Sequence, residues 1–400
     1  MDGSPPNSSP GTSPQRAGLP VYLDCHATTP VDRRVLEAMW PYFAERFGNA
    51  ASVNHAYGWE AAEAVERARA QVASLLNCVP QSLIFTSGAT EANNLALKGV
   101  LARAANGCHL ITTAAEHRAV LDPAKRLARR GTSVTIVPVD RFGQVDPQQI
   151  ADAITAKTVL VSAMLANNEV GTINPIAEIG AICRQRGVLF HCDAAQGVAR
   201  LPLDLERLPI DLLSLSGHKL YGPKGIGALF VRRDGPPVRL EPQLDGGGHE
   251  QRLRSGTLPV PLVVGLGAAC GLFQGLITEE SARIAGLRNR LWDDLCRRVP
   301  DLILNGHPER RLAGNLHVSV PGVDGEVLMH ALKDIAVSSG SACTSADPEP
   351  SHVLRAMDIS ESLSRASVRF GLGRMTTEAE VDFAAQYFAD TVARLRTSVS

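Results

Sequence analysis

Short, unbroken apolar runs alternate with stretches of helical periodicity through the first two-thirds of this chain. The runs Leu83–Thr86, His109–Thr113, Ser133–Val137, Thr158–Leu165, Val188–Asp193, Asp211–Ser216 and Gly227–Val231 have strand length and little internal polarity. Helical segments separate them. One is predicted from about Asp32 to Phe47, and another begins near Gly58 with Ala61, Val65, Ala68, Val72 and Leu75 on one face. Ser87-Gly88-Ala89-Thr90-Glu91 turns a strand into a helix carrying Asn93, Asn94 and Leu97. Such alternation predicts an α/β fold, a mainly parallel sheet covered on both faces. Ligands in sheets of this kind bind beyond the carboxyl ends of the strands.

Around residue 264 the pattern changes to a long helical stretch, Val264 to about Val299, followed by a strand at Asn315–Val320. The expected organisation is therefore a large domain over 20–263 and a smaller α+β domain over 264–400. The extended start, Val21-Tyr22-Leu23-Asp24, is free to pack on the smaller domain. Residues 1–19 are rich in Pro, Ser and Gly and have no apolar periodicity, which predicts a disordered tail. No repeat is visible.

Composition narrows the function. The 400 residues carry a formal charge of -1, so no basic excess exists to neutralise nucleic-acid phosphates. No apolar run approaches membrane-span length, and residues 1–19 lack the apolar core of a secretory signal. The eight cysteines are scattered, with no metal-like spacing, so no metal site is expected. Several lie in apolar segments and read as buried thiols of a reducing compartment, so a cytoplasmic location is expected.

The chemistry gathers at strand ends. Asp211–Ser216 leads into Ser216-Gly217-His218-Lys219, and Val188–Asp193 ends on Asp193-Ala194-Ala195-Gln196. Lys219 at the end of a buried strand suits a cofactor aldehyde. Asp193 suits a pyridinium nitrogen, which a fixed negative charge keeps protonated and electron-withdrawing. Together they read as a pyridoxal phosphate site. Gly88 with Ala89 and Thr90 at a helix N-terminus forms a candidate phosphate site, although Thr90 could equally be an ordinary helix cap. Ser216 and His218 add donors nearby. His117 in Ala115-Glu116-His117 can stack on the ring and exchange protons, Asn168 can hydrogen-bond the ring hydroxyl or the substrate, and Gln196 reaches the same ring edge. Cys343, in Ser338-Ser339-Gly340-Ser341-Ala342-Cys343-Thr344-Ser345, has none of the apolar neighbours of a structural cysteine and reads as a nucleophile on a mobile loop. Arg369 in an apolar strand needs a carboxylate, and a substrate α-carboxylate would serve, with Arg374 as the competing candidate. The run Gly246-Gly247-Gly248 leading to Arg254-Ser255-Gly256-Thr257 suits a backbone that approaches an anion closely.

YLDCHATTP, FTSGATEANN, AEH, ANNEVGT, HCDAAQG, SLSGHKLYGPKG, GGGHEQRLRSGT and SSGSACTS together resemble the cysteine desulfurases of the NifS/IscS group, in the class-V aminotransferase superfamily. The resemblance runs from about Val21 to about Ala393 and implies PLP fold type I, with a seven-stranded, mainly parallel sheet. It implies a homodimer that converts L-cysteine to L-alanine and passes sulfur to a protein acceptor, an iron–sulfur scaffold or a thiolation enzyme. Lys219 would hold the cofactor aldehyde covalently and remove the Cα proton, Cys343 would take the sulfur as a persulfide, and His117 would relay protons. Thr257 would reach the phosphate of the partner subunit. Cys25-His26 stands where relatives vary and receives no role. The chain stops at Ser400, where housekeeping members carry a longer tail that helps dock the scaffold, which weighs against the standard scaffold partnership. Within the same fold the rival activity is selenocysteine lyase; outside catalysis, the rival is a regulatory partner of another desulfurase.

Overall fold

The computed structural model describes residues 18–235, 237–339 and 350–397. Its strands are β1 (Val21–Tyr22), β2 (Leu83–Thr86), β3 (His109–Thr113), β4 (Ser133–Val137), β5 (Thr158–Ser162) and β6 (Leu189–Asp193) in the first half. β7 (Leu212–Ser216), β8 (Gly227–Val231), β9 (Ile303–Asn305), β10 (Asn315–Ser319), β11 (Ile335–Ala336) and β12 (Ser367–Gly371) follow. The main sheet has seven strands in the order β2-β8-β7-β6-β5-β3-β4. β8 runs antiparallel to both its neighbours, whereas the pairs from β7 across to β4 are all parallel.

Successive strand residues point to opposite faces, and this sorts the apolar runs into two cores. Ile111, Val161, Phe190, Leu213 and Phe230 meet the helices Ala56–Leu76 and Val260–Phe273 on one face. Their sequence neighbours Leu110, Leu160, Leu212, Leu229 and Val231 meet the helices Ala89–Ala102 and Arg118–Ala128 on the other. Burial on both sides explains why these strands are apolar throughout rather than alternating. With helices on both faces, the carboxyl ends of β2, β3, β5, β6 and β7 are left to form a cleft.

A third core lies apart. It joins the antiparallel sheet β12-β10-β9 to the helices Ile277–Arg298 and Glu378–Thr397. Leu23 belongs to it, and β1 pairs in parallel with β11, so the first described residues pack with the C-terminal elements.

Two predicted helices are each broken in two. The segment expected over Asp32–Phe47 is Arg33–Met39 followed by Pro41–Ala44, since Pro41 cannot donate to the preceding turn and instead starts a new one. The stretch expected over Val264–Val299 is Val260–Phe273 and Ile277–Arg298, bent by 79° at a break where Gly275 takes a φ of +79°. The first packs on the larger unit and the second on the smaller. The strand expected over Thr158–Leu165 ends at Ser162, although the Ala163 and Leu165 amides still donate to the β6 carbonyls of His191 and Asp193 at 3.1 and 2.9 Å. Among the described residues no single helix is long and apolar enough to cross a membrane.

Candidate active site

The strand ends enclose a cleft of about 450 Å³. Ala89, Thr90, His117, Asn168, Asp193, Gln196, Ser216, His218, Lys219 and Arg369 all line it. Thr257 does not; it is exposed on this chain. Cys343 lies outside the described residues. Residues near it on either side can be placed: Ser338 bridges Arg369, and Pro350 and Ser351 line the cleft.

One end of the cleft is built to take an anion. Gly88 caps the helix Ala89–Ala102 with a φ of +147°, and no side chain satisfies the first-turn amides. Thr90 is therefore not the cap. A Cβ on Gly227 would stand 2.7 Å from the Gly88 Cα, so Gly227 is required for the turn to lie this close to β8, while Gly88 is required by its φ. Ser216 lines the same end, and His218 Nδ1 sits 3.1 Å from Thr28 Oγ1. Burial, aided by Lys219, Lys224 and Arg200, pushes the His218 ring down to about 4, so it is neutral at physiological pH.

Elsewhere in the cleft lies a fixed negative charge. Asp193 is buried; its Oδ2 accepts from Asn93 Nδ2 at 2.7 Å and its Oδ1 from the Ala195 amide at 3.0 Å. Two donors hold the carboxylate in one orientation, with lone pairs to spare for a ring N–H. Asn93 is a residue that sequence reasoning left without a role. Its signal was a carboxamide four residues before Leu97, on the helix face that packs against the sheet.

Lys219 Nζ donates to two main-chain carbonyls, His26 O at 2.5 Å and Ala27 O at 2.8 Å. Gln196 Nε2 donates to the same His26 carbonyl at 3.0 Å. His26 itself is 1% exposed with neither ring nitrogen partnered among the described residues, and burial holds it well below the usual imidazole range. His117 caps the helix Arg118–Ala128, its Nδ1 accepting from the Ala119 amide at 3.0 Å. This assigns the proton of the neutral ring to Nε2.

Arg369 reaches a carboxylate as expected, but one of its own chain. Its Nη2 donates to Asp24 Oδ1 at 2.7 Å and its Nη1 to the Asn168 carbonyl at 2.8 Å, with Nε buried and without a partner among the described residues. Arg374 is separated from the cleft: it pairs with Asp32 and Glu280 and lies 4.2 Å over the Phe273 ring. The cleft rim also holds residues that sequence reasoning missed. Ser351 Oγ donates to Glu169 Oε2, and His352 Nε2 donates to the Glu116 carbonyl at 2.8 Å. Glu116 is fully buried, its Oε1 accepting from Thr113 Oγ1 and the Met164 amide, both at 2.8 Å; burial pushes its carboxyl up to about 8. Burial also pushes the thiols of Cys25, Cys78, Cys183 and Cys270 up to about 12, so none of these four is a thiolate near neutral pH.

An uncapped helix start, a buried and oriented carboxylate, and a lysine amine in the same cleft fit the phosphate, ring nitrogen and aldehyde of pyridoxal phosphate. No cluster of side chains among the described residues could hold a metal ion.

Comparison with known proteins identifies the family. The family model described as aminotransferase class-V matches residues 21–383. A cysteine desulfurase IscS from Anaeromyxobacter dehalogenans (strain 2CP-C) is 53% identical over 379 residues, 94% of this chain and 94% of that protein. A cysteine desulfurase from Mus musculus is 52% identical over 379 residues, 94% of this chain and 82% of that protein. Among solved structures, a NifS-like protein superposes with a TM-score of 0.87 at 36% identity, covering 94% of this chain and all of the other.

Proposed function

This chain belongs to the class-V aminotransferase family and, within it, to the cysteine desulfurases of the NifS/IscS group, and from that premise we propose how its residues divide the reaction. The activity is conversion of L-cysteine to L-alanine with transfer of the sulfur to a cysteine of the enzyme, and the cofactor is pyridoxal phosphate. When bound, that cofactor supplies an aldehyde for amines and a ring that withdraws electrons from the substrate α-carbon. The helix start at Ala89 and Thr90, with Ser216 and His218, would hold its phosphate. Asp193 would hold its ring nitrogen, with His117, Asn168 and Gln196 against the ring.

Lys219 Nζ would take the substrate Cα proton. Its donation to the His26 and Ala27 carbonyls holds the amine in the cleft. His117, with its proton on Nε2, would act as the relay between thiol and substrate. Asn168 and Arg369 would orient the substrate carboxylate. The thiolate of Cys343 would attack the substrate sulfur: the Cβ–S bond breaks, an S–S bond forms, and protons from Lys219 and His117 complete alanine. The balance is L-cysteine plus thiol to L-alanine plus persulfide, and no outside oxidant enters.

The observation that carries this reading is the convergence of Lys219, Asp193, His117 and the uncapped helix start on one cleft, with Ser351 and Arg369 at its small-unit rim. The test is substitution of Cys343. Cys343→Ser should retain cofactor and still bind L-cysteine, yet release alanine at least about 10²-fold more slowly, since a hydroxyl is a poor nucleophile toward sulfur. Mass spectrometry of the parent after L-cysteine should find one added sulfur on the Cys343 peptide. Sulfur on a different peptide, or parental turnover in the variant, would overturn the assignment.

The family's homodimer is also the assembly we assign here. An exposed aromatic patch of Trp40, Phe43, Phe47, Tyr57 and Trp59 supports it, since a surface of this character is normally covered. Thr257, exposed on one chain, would then complete the partner's phosphate site. We move the division between the two units from the expected 263/264 to residues 274–276, because the helix Val260–Phe273 packs in the larger unit's core; we take the acceptor to be a protein thiol or scaffold, and the location to be cytoplasmic.

A further inference from the structure

β2 stands at the edge of the main sheet, paired only with β8, and its next residues form the anion cradle. One row of its main-chain groups therefore has no strand to meet. Two side chains meet it instead. Arg69 Nη1 donates to the Leu83 carbonyl at 2.9 Å, and the Phe85 amide donates to Glu250 Oε2 at 2.6 Å. Arg69 and Glu250 also bind each other through two hydrogen bonds, at 2.9 and 2.7 Å, and their side chains are 8% and 2% exposed. The Arg69 guanidinium lies 4.5 Å over the Phe85 ring.

Glu250 reaches this position at a cost to its backbone. Glu250, Gln251 and Arg252 take φ values of +46°, +58° and +66°, three successive non-glycine residues in the left-handed region. Such strain persists where surrounding contacts over-determine it, and it collects at ligand clamps. Four residues later Arg254 Nε donates to Glu91 Oε1 at 2.9 Å, and Glu91 Oε2 accepts from the Ser87 amide at 2.8 Å. The loop from Glu250 to Arg254 thus grips the cradle before its turn, at Phe85, and after it, at Glu91.

We propose that Arg69 and Glu250 are positioning residues for the cofactor phosphate: they stand in for an absent strand along the outer edge of β2 and so fix the turn from Thr86 to Thr90. This rests on reading that turn as the phosphate site. Neither residue lines the cleft, so their effect passes entirely through the main chain of β2 and the Arg254–Glu91 link.

The test separates positioning from bulk stability. The full-length enzyme, stripped of cofactor, is titrated by absorbance with pyridoxal phosphate and with pyridoxal, which lacks the phosphate. In the parent the phosphorylated form should bind far more tightly; equal affinities would remove the cradle reading and this proposal with it. Glu250→Gln and Arg69→Lys should each lower the preference for pyridoxal phosphate by about tenfold, the weight of one charge-assisted hydrogen bond, while leaving pyridoxal affinity in place. A preference unchanged from the parent in folded variants would overturn the proposal alone. Should both variants fail to fold, hydrogen exchange in the parent decides. The Phe85 amide should be as protected as the Leu213 amide of the inner strand β7, and exchange typical of an open edge would overturn it.

Discussion

The two walls of the cleft are built by different means. The wall formed by β6 and β7 carries Asp193 and Lys219, and its geometry comes from strand pairing, with Asp193 held by Asn93 and the Ala195 amide and Lys219 by the His26 and Ala27 carbonyls. The opposite wall is assembled across two units. Arg369 from β12 donates to the Asn168 carbonyl, His352 to the Glu116 carbonyl, and Ser351 to the Glu169 carboxylate. The first wall is fixed before any ligand arrives. The second depends on the smaller unit reading two main-chain carbonyls and a carboxylate of the larger one, which suits a wall that must admit substrate and an acceptor thiol. Cofactor chemistry is therefore placed on rigid elements, and substrate contact on the seam.

Substitutions on the two walls should separate in kind. Lys219→Ala, on the fixed wall, should abolish covalent trapping of the cofactor by borohydride and lower turnover about 10³-fold or more, with the fold and dimer intact. An adduct trapped on another lysine would break the comparison at its strongest point. Arg369→Lys, on the seam, should act on substrate rather than cofactor. It loses the fork that serves Asp24 and Asn168 together, so KM for L-cysteine should rise about tenfold with cofactor affinity unchanged. A fall in kcat with constant KM would assign Arg369 to the fixed wall instead.

The smallest effect concerns Glu116, buried behind the seam. Its folded carboxyl is raised from 4.5 to about 8, so the folded chain holds a proton there that the unfolded chain releases. The stabilisation from that proton is complete below pH 4.5 and is lost as pH rises to about 8. Glu116→Gln should therefore gain stability relative to the parent across that interval, read from urea midpoints at several pH values. A difference independent of pH would mean that Glu116 is ionised in the folded protein and that the seam is wetter than its burial implies.

Legibility in the sequence followed the same line. Lys219, Asp193, His117 and Gln196 could be read because each ends an apolar run, and strand ends in a parallel sheet face one crevice. Asn93 was harder, since a buried polar group on a helix looks like any other until its partner is known. The seam was the least legible. Nothing local ties Asp24 to Arg369, or Ser351 to Glu169, because those contacts depend on how two independently patterned units dock. The helix breaks at Pro41 and Gly275 were visible as residues but were overridden by continuous apolar periodicity around them.

The edge position of β2 also sets an order of events in time. Its only sheet partner, β8, and the carboxylate that binds Phe85 both come late in the chain, the latter 165 residues downstream. At ordinary translation rates a ribosome needs roughly 10–30 s to cover that distance. Through most of that interval β2 has neither neighbour and the turn beyond it has no reason to hold its shape. The cofactor therefore cannot template the nascent sheet. It can only enter a nearly finished one, so its availability bears on the lifetime of the folded enzyme rather than on the early course of folding.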